Sequence, residues 1–533
     1  MRRAVVIALA LSLVAAFAPI GRTEGNALAL VRVAVTSRAQ AQYLLTHFDE
    51  THNHGDGHIE LLLWPGDAAR LDALGIDYEV VEDDVVARDR AALVPGPVVS
   101  LPGPDRDTYR RLPEYVEELE KLAKKNRRLV DLIEMPHPTL EGRTVLGIEI
   151  AAPGGNPGRP TFYVDGIHHA REWPAAEYPM IFAHYLVDKF NMSARVRRIL
   201  NQTRIVIVPI VNPDGFVYSR ESLVDAQGTA SLPLAILGAE AYWRKNRRSI
   251  TGVTVPVAQK NPDAYGIDPN RNYALLWGED ENGSSSFELN QTYRGSAPFS
   301  EPETQNVRKL MLLTNVVGVI TNHTYGRLVL RPWGHTSQDA PDERFLARVG
   351  QELADAMGGY QNIKGIGLYA THGTTDDWAY GALGALGYTF EHGEAFHPPY
   401  ANSVGEQWRG VIEAFLIMAE AVSRPQSHAV IEGRVLRAGR PVPAKLTLTK
   451  SFRTPLGDGN PTGKEGIKER LRLSLLTGND GRFEWHVNPS TRPIPEVKGK
   501  EAYTLTIAAG GRTKKMTVVV DRGEVLNLGT IHL

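Results

Sequence analysis

The chain contains no cysteine. Disulfides, cysteine nucleophiles and thiolate metal ligands are therefore excluded. An excess of one charge sign is also lacking. Lys and Arg number 59, Asp and Glu 61, for a formal net charge of −2. No strong global field favours nucleic acid or an acidic membrane as a partner. After the first residues, no apolar run approaches the roughly 20 residues that span a bilayer.

At 533 residues the chain is too long for one ordinary core, given about 100–200 residues per domain. Hydrophobic content of 42% and charged content of 23% fit soluble globular domains. Met1-Arg2-Arg3 followed by apolar residues 4–18 has the layout of a secretory signal peptide. It is assigned to residues 1–26, which implies a secreted, extracellular protein with no membrane association after its removal. Large exported domains do without the disulfide framework of small ones.

Residues 27–86 read as β-α-β-α-β, a small ferredoxin-like α+β unit. Its His-rich stretch, His52 to His58, reads as a polar connection. Residues 87–104 have the Pro/Gly composition of a linker. Exposed linkers attract proteolysis, and Arg88 or Arg90 suits a trypsin-like activating protease. In residues 105–425, helical patterns at 113–125, 175–190, 300–313, 344–357 and 405–422 alternate with apolar runs at 144–150, 161–165, 204–209, 317–322 and 388–391. That is an α/β domain with a largely parallel or mixed sheet and helices on its faces. Residues 428–533 alternate between turn signals such as Asn479-Asp480-Gly481, the pattern of an all-β sandwich without evident chemistry.

The organising stretch is Gly166-Ile167-His168-His169-Ala170-Arg171-Glu172-Trp173-Pro174. It follows a strand pattern and precedes a helix that Pro174 suits at its first turn. His169 and Glu172 then sit at the carboxyl end of a strand, where open α/β sheets place ligands. Imidazole and carboxylate are zinc ligands, and a third protein ligand leaves a fourth position for water. The pair alone is a weak signal, because His47 and Glu50 repeat it. Downstream, Pro209 to Phe216 reads as a strand ending in a turn, with a structural role. Trp243 to Arg248 is a basic cluster that by itself reads as a solvated face. Asp268-Pro269-Asn270-Arg271 sets an amide beside a guanidinium suited to gripping a carboxylate. His323 ends an apolar strand. Tyr369 lies in a polar, Gly-containing loop. Glu391 ends another strand and, facing a metal-bound water, is a general base.

From about Tyr109 to Val422 these segments together resemble the zinc metallocarboxypeptidases of the carboxypeptidase A, B and T type. The family motifs His-Ala-Arg-Glu-Trp, Asn-Pro-Asp-Gly-Phe, Trp-Arg-Lys-Asn-Arg, Asp-x-Asn-Arg-Asn, the His-Thr-Tyr strand end, the Tyr loop and Thr-Phe-Glu occur here in order. The resemblance implies a mixed eight-stranded sheet with helices on both faces, one zinc ion per catalytic domain, and peptide or protein C-termini as substrate. Carried over by position, it implies His169, Glu172 and His323 as zinc ligands and Asp268 as the carboxylate that orients His169. It makes Glu391 the general base and Arg244 the group that polarises the scissile carbonyl. Asn270, Arg271 and Tyr369 would hold the terminal carboxylate, and Arg171 would assist binding. The N-terminal unit looks like the family's propeptide, and the sandwich like the transthyretin-like or regulatory-like domains of some members.

Counting from Tyr369 without gaps puts Asp376 at the bottom of the side-chain pocket, implying C-terminal Lys or Arg, with Gly334 leaving one wall open. Alternatively Asp376 caps a helix near Trp378, and Lys364 is near enough in sequence to neutralise it. Two departures stand out: an extra His168, and a long segment at 222–238 that reads as an inserted loop. The rival readings are a peptidoglycan endopeptidase or deacylase of the same fold, or a non-catalytic zinc-site protein that binds peptides or matrix. Asn270, Arg271 and Tyr369 argue against the first, because they demand a free carboxylate. Glu391 and Arg244 argue against the second.

Overall fold

A computed structural model describes residues 28–55, 57–64, 66–92, 106, 108–221, 239–249, 266–494 and 501–533. The expected signal peptide, most of the expected linker and the 222–238 segment lie outside the described residues. The first unit runs β1 (Ala29–Ala34), α1 (Arg38–His47), β2 (Asp49–Gly55), β3 (His58–Leu63), α2 (Asp67–Ala73), β4 (Tyr78–Glu82) and α3 (Val85–Ala92). Its antiparallel sheet has the order β2-β3-β1-β4. Ser37 opens α1 by accepting the Gln40 N–H at 3.1 Å, as an N-cap serine should. Val31, Val33, Leu44, Ile59, Leu61 and Leu71 form the core of the unit.

Two features differ from the sequence reading. β2 runs into the His-rich stretch and pairs antiparallel with β3, adding a strand whose polar residues hid it. The residues read as the start of a linker are the helix α3. Asp84 Oδ1 accepts the N–H groups of Val86 and Ala87 at 3.0 and 3.1 Å. Val85 and Val86 are buried in the main core.

The central domain continues with α4 (Leu112–Lys125), β5 (Val130–Glu134), β6 (Leu146–Ile150), β7 (Thr161–Gly166), α5 (Pro174–Lys189), α6 (Ala194–Gln202), β8 (Arg204–Val208), α7 (Pro213–Glu221), α8 (Pro302–Leu313), β9 (Val316–Thr324), β10 (Leu328–Arg331), α9 (Glu343–Met357), β11 (Gln361–Lys364), α10 (Thr375–Trp378), β12 (Leu386–His392) and α11 (Glu406–Ser423). One eight-stranded mixed sheet has the order β11-β10-β12-β9-β7-β8-β6-β5. Its middle strands β12, β9, β7 and β8 are parallel. All but the first residue of β8 are buried, so they read as continuous apolar runs. The edge strands β5 and β11 are half exposed and carry no such run. The Asn-Pro-Asp-Gly segment does not end in a plain turn, because Pro213 starts α7. Its structural role is clear: Asp214 accepts from Thr139 Oγ1, the Glu141 N–H and Arg143 at 2.7–2.9 Å.

The last part is a sandwich of β13 (Ala429–Arg437), β14 (Arg440–Pro441), β15 (Lys445–Pro455), β16 (Gly466–Leu476), β17 (Arg482–Val487), β18 (Tyr503–Ala509), β19 (Arg512–Val518) and β20 (Val525–His532). One sheet has the order β14-β13-β17, with β20 on β13; the other has the order β16-β15-β18-β19. The sandwich is bonded to the central domain. Leu276 N–H donates to Pro455 O at 3.1 Å and Gly457 N–H to Trp277 O at 3.0 Å. Arg308 on α8 pairs with Glu469 on β16 at 3.0 Å.

Candidate active site

β7 delivers the His169–Glu172 turn and β9 delivers His323 beside it, in the parallel register Gly166 to Asn322. Ile167, at the head of the turn, is buried and has φ +53°, a strained conformation for a β-branched residue. Three donors converge. His169 Nδ1 lies 2.7 Å from Glu172 Oε1, His323 Nδ1 lies 2.9 Å from Glu172 Oε2, and the two Nδ1 atoms are 3.1 Å apart. Ligand atoms of all three lie within 4.8 Å of one another. Behind His169, Asp268 Oδ1 is 3.1 Å from Nε2. A proton on Nε2 serves that carboxylate and leaves the Nδ1 lone pair facing inward. Imidazole lone pairs set against each other and against a carboxylate suit a divalent cation with nitrogen and oxygen ligands, and zinc fits this donor set.

Burial works against the Glu172 charge, yet His169 and then His323 hold its carboxyl well below the usual range. Burial also opposes a charge on His323, but the adjoining Glu172 outweighs it and raises that pKa. Burial and then Arg244 lower His169. Asp268 is held well below the carboxylate range despite burial, by Arg244 first and His169 next.

The remaining expected residues gather around this trio. Arg244 and its neighbours Lys245 and Asn246 are buried rather than on a solvated face. Arg244 Nη2 donates to Asp268 Oδ2 at 3.0 Å. Asn270 Nδ2 is 3.5 Å from His323 Nε2. Arg271 is 2% exposed, donating to Asn270 O at 2.8 Å and Tyr369 OH at 3.4 Å. Its Nε has no hydrogen-bond partner among the described residues. Gly373, at φ +71°, brings the Tyr369 loop against the backbone of Arg271, where a Cβ would meet Arg271 O at 2.6 Å. Glu391 is buried and stands in register beside His323 on the adjacent strand. His168 is not a fourth ligand: its Nε2 lies 2.8 Å from Tyr273 OH and 3.0 Å from Thr375 Oγ1. Thr375 escaped the sequence reading. Its N–H and hydroxyl both donate to Asn270 Oδ1 at 3.0 Å, which fixes the direction of the Asn270 amide.

Asp376 lies inside α10, whose N-cap is Thr374, so it is not the cap. It is buried, and burial followed by the adjoining Asp377 pushes its carboxyl up to about 6. Lys364 does not neutralise it. That ammonium bonds Asp339 and, at 2.9 Å, Ser337 O. Gly334 donates its N–H to Asp377 at 3.0 Å.

Arg171 also lies at the site, fully buried, but its partner comes from the N-terminal unit. Its Nη1 and Nη2 donate to Asp49 Oδ2 and Oδ1 at 2.6 and 2.7 Å. The next residue, Glu50, is buried and contributes to the field on Arg244. Tyr369 packs on the core of that unit. Nothing in the sequence marks Asp49 or Glu50 apart from the otherwise uninformative His47–Glu50 pair.

A family model described as zinc carboxypeptidase matches residues 115–413, more than half of the chain. Mouse carboxypeptidase A1 is 27% identical over 335 residues, 61% of this chain and 73% of its own length. A carboxypeptidase B of Astacus astacus is 31% identical over 297 residues, 54% of this chain and 87% of its own. In fold, the chain is similar to the crystal structure of a carboxypeptidase A from Helicoverpa armigera. The TM-score is 0.60 at 21% identity, covering 74% of this chain and 98% of that one.

Proposed function

Because the chain belongs to the zinc carboxypeptidase family, we propose that it is the precursor of a secreted exopeptidase that removes C-terminal Lys or Arg from peptides and proteins. His169, Glu172 and His323 hold the zinc, and Asp268 orients His169. Zinc, when bound, supplies Lewis acidity toward a carbonyl oxygen and raises the acidity of water. Glu391 takes the proton as water oxygen bonds to the scissile carbonyl carbon. It returns that proton to the amine nitrogen as the C–N bond breaks, help worth about 10²–10⁴-fold. Arg244 faces the negative charge that develops on the carbonyl oxygen, where one donor is worth about 10²–10³ in rate.

The observation that carries the exopeptidase reading is Arg271. It is a buried guanidinium with an unsatisfied Nε, and no carboxylate pairs with it among the described residues. A substrate's terminal carboxylate satisfies it, whereas a mid-chain peptide bond leaves it unpaired at a cost. Asn270 and Tyr369 complete that grip. Asp376 sits at the bottom of the side-chain pocket, as a buried carboxylate suited to a Lys or Arg side chain. In the precursor, Asp49 occupies Arg171 and the N-terminal unit covers Tyr369, so substrate entry awaits release of that unit. Cleavage near Arg88 or Arg90 also requires opening of α3, in which Asp89 is buried.

The test is Glu391→Gln in protein treated with trypsin, assayed on peptides ending in Lys, Arg, Leu or Glu, with zinc content measured in parallel. Turnover should vanish with zinc still bound at one ion per chain. Residual turnover near that of the parent refutes the assignment of the base. Preferred release of Leu by the parent refutes the Asp376 pocket while leaving the enzyme class intact.

A further inference from the structure

The two outer faces of the sandwich differ in a way that packing does not require. On the β14-β13-β17 sheet the outward residues have mixed signs: Glu432 stands opposite Glu484, and Arg434 opposite Arg482. On the β16-β15-β18-β19 sheet the inward positions of β15, β16 and β18 are apolar and almost all buried, apart from the polar Lys450, Thr454 and Glu469, whereas Arg512 and Lys514 take inward register positions on the edge strand β19 and are exposed. Its outward positions carry Lys445 and Arg453 on β15, Lys468, Arg470 and Arg472 on β16, and Lys515 on β19, all exposed. No Asp or Glu lies on that face among the described residues of these strands. Among the described residues, Arg453 alone of the six pairs with a carboxylate, that of Glu465 in the loop between β15 and β16, at 3.2 Å.

Charge is also segregated along the chain. Residues 428–533 hold 18 Lys and Arg against 10 Asp and Glu, whereas residues 1–427 hold 41 against 51. A neutral total therefore conceals a basic sandwich on an acidic remainder, and a one-signed surface focuses oppositely charged partners.

The register makes the face an ordered grid. Arg453 pairs with Lys468, Ser451 with Arg470, Thr449 with Arg472 and Thr447 with Ser474. Thr506 links Thr447 to Lys515 on the far side. Alternate residues on a strand repeat at about 7 Å and strands at about 4.8 Å, so Lys468, Arg470 and Arg472 form a cationic row flanked by hydroxyls. Arg and Lys there offer charge-assisted hydrogen bonds to sulfate oxygens, and the Thr and Ser rows offer hydroxyl contacts to sugars. Among the described residues of these strands, no outward position carries an aromatic ring on which bases stack. Among its outward residues Leu476 is the large apolar one, too little for insertion into a bilayer surface.

We propose that this face is a docking surface for a linear sulfated polysaccharide, which holds the protein on an extended polyanion independently of its hydrolytic site. The test uses the full chain and immobilised heparin as probe, with hyaluronan (carboxylate but no sulfate), duplex DNA and phosphatidylserine vesicles as comparators. Heparin binding should weaken steeply with salt. Arg470→Glu with Arg472→Glu should weaken it by at least about tenfold, Arg470→Lys with Arg472→Lys should largely preserve it, and the melting temperature and hydrolysis of a short peptide should not change. Heparin binding unaffected by the charge reversals overturns the proposal. So does absence of heparin binding, or tighter binding to DNA or vesicles than to heparin.

Discussion

Replacing Asp49 with Ala tests whether the N-terminal unit restrains the site through charge. With the N-terminal unit docked, Arg171 is fully buried and bonded through two nitrogens to Asp49. Asp49 also accepts the Trp64 indole N–H at 2.7 Å. Removing the carboxylate leaves a buried guanidinium without its anion, a loss of about 3–5 kcal/mol. When the unit lifts away, water reaches Arg171, so the loss falls on the docked state alone. Docking should weaken by about 10²–10⁴-fold at about 1.4 kcal/mol per tenfold. The assay is hydrolysis of a short C-terminal Arg peptide by uncleaved protein, with its size checked before and after. Glu60→Gln is the control. It disturbs the Arg32–Glu60 pair at 2.7 Å inside the same unit without touching Arg171. Uncleaved Asp49→Ala should hydrolyse the peptide at rates approaching those of the trypsin-treated parent, and Glu60→Gln much less. If Asp49→Ala stays as silent as the parent, or Glu60→Gln activates equally, the charge argument fails.

Four further outcomes are expected. Asp376→Asn should cut kcat/KM for C-terminal Lys or Arg by about 10²–10³-fold, the scale of a lost buried charge pair, and affect Leu little. Because the Asp376 carboxyl is raised to about 6, it is ionised above that pH. In the parent, kcat/KM for basic over apolar C-termini should fall as pH drops through about 6, and a flat ratio refutes the pocket. Chelation should lower the melting temperature by several degrees, reversibly on adding zinc, since a ligand a thousandfold above its dissociation constant stabilises by about 4 kcal/mol; an unchanged transition refutes the trio as a zinc site. Glu469→Ala should cost about 2–3 kcal/mol of stability, read as a lower urea midpoint, because it strands Arg308 at the joint between α8 and β16; an unchanged midpoint refutes that joint as a stabilising contact.

Legibility in the sequence followed burial. β7, β8, β9 and β12 were readable because parallel strands covered on both faces must be apolar throughout. β2, β5 and β11 were not, since short or half-exposed strands with polar residues carry no period. The site was visible as motif segments, and the sheet register brings them together. His323 and Glu391 become neighbours because β9 and β12 are paired, a relation that no spacing along the chain encodes. The basic cluster around Arg244 looked solvated, because burial of a cation depends on a partner 24 residues away, Asp268. Thr375 and Asp49 were invisible for the same reason. Each acts through hydrogen bonds to residues distant along the chain, and single polar residues leave no pattern.

The electrostatics of the cleft connect the proposed precursor to the proposed reaction. Three buried guanidiniums, Arg171, Arg244 and Arg271, stand around a trio that would add a dication. Asp268 answers Arg244 within the domain, and Asp49 answers Arg171 from outside it. Among the described residues, Arg271 is left with a carbonyl and a phenol oxygen as hydrogen-bond partners, neither of which carries charge. Such a cleft favours anions at two places, and a buried cation without an anion is costly. A substrate brings one carboxylate, its C-terminus, for which Arg271 is the vacant match. The N-terminal unit brings Asp49 to the other cation and Glu50 toward Arg244. Inhibition and recognition are then the same physical event, neutralisation of a buried arginine by a carboxylate. On the proposed reading the unit silences the site through Arg171, and a single substitution at Asp49 should undo much of that silence.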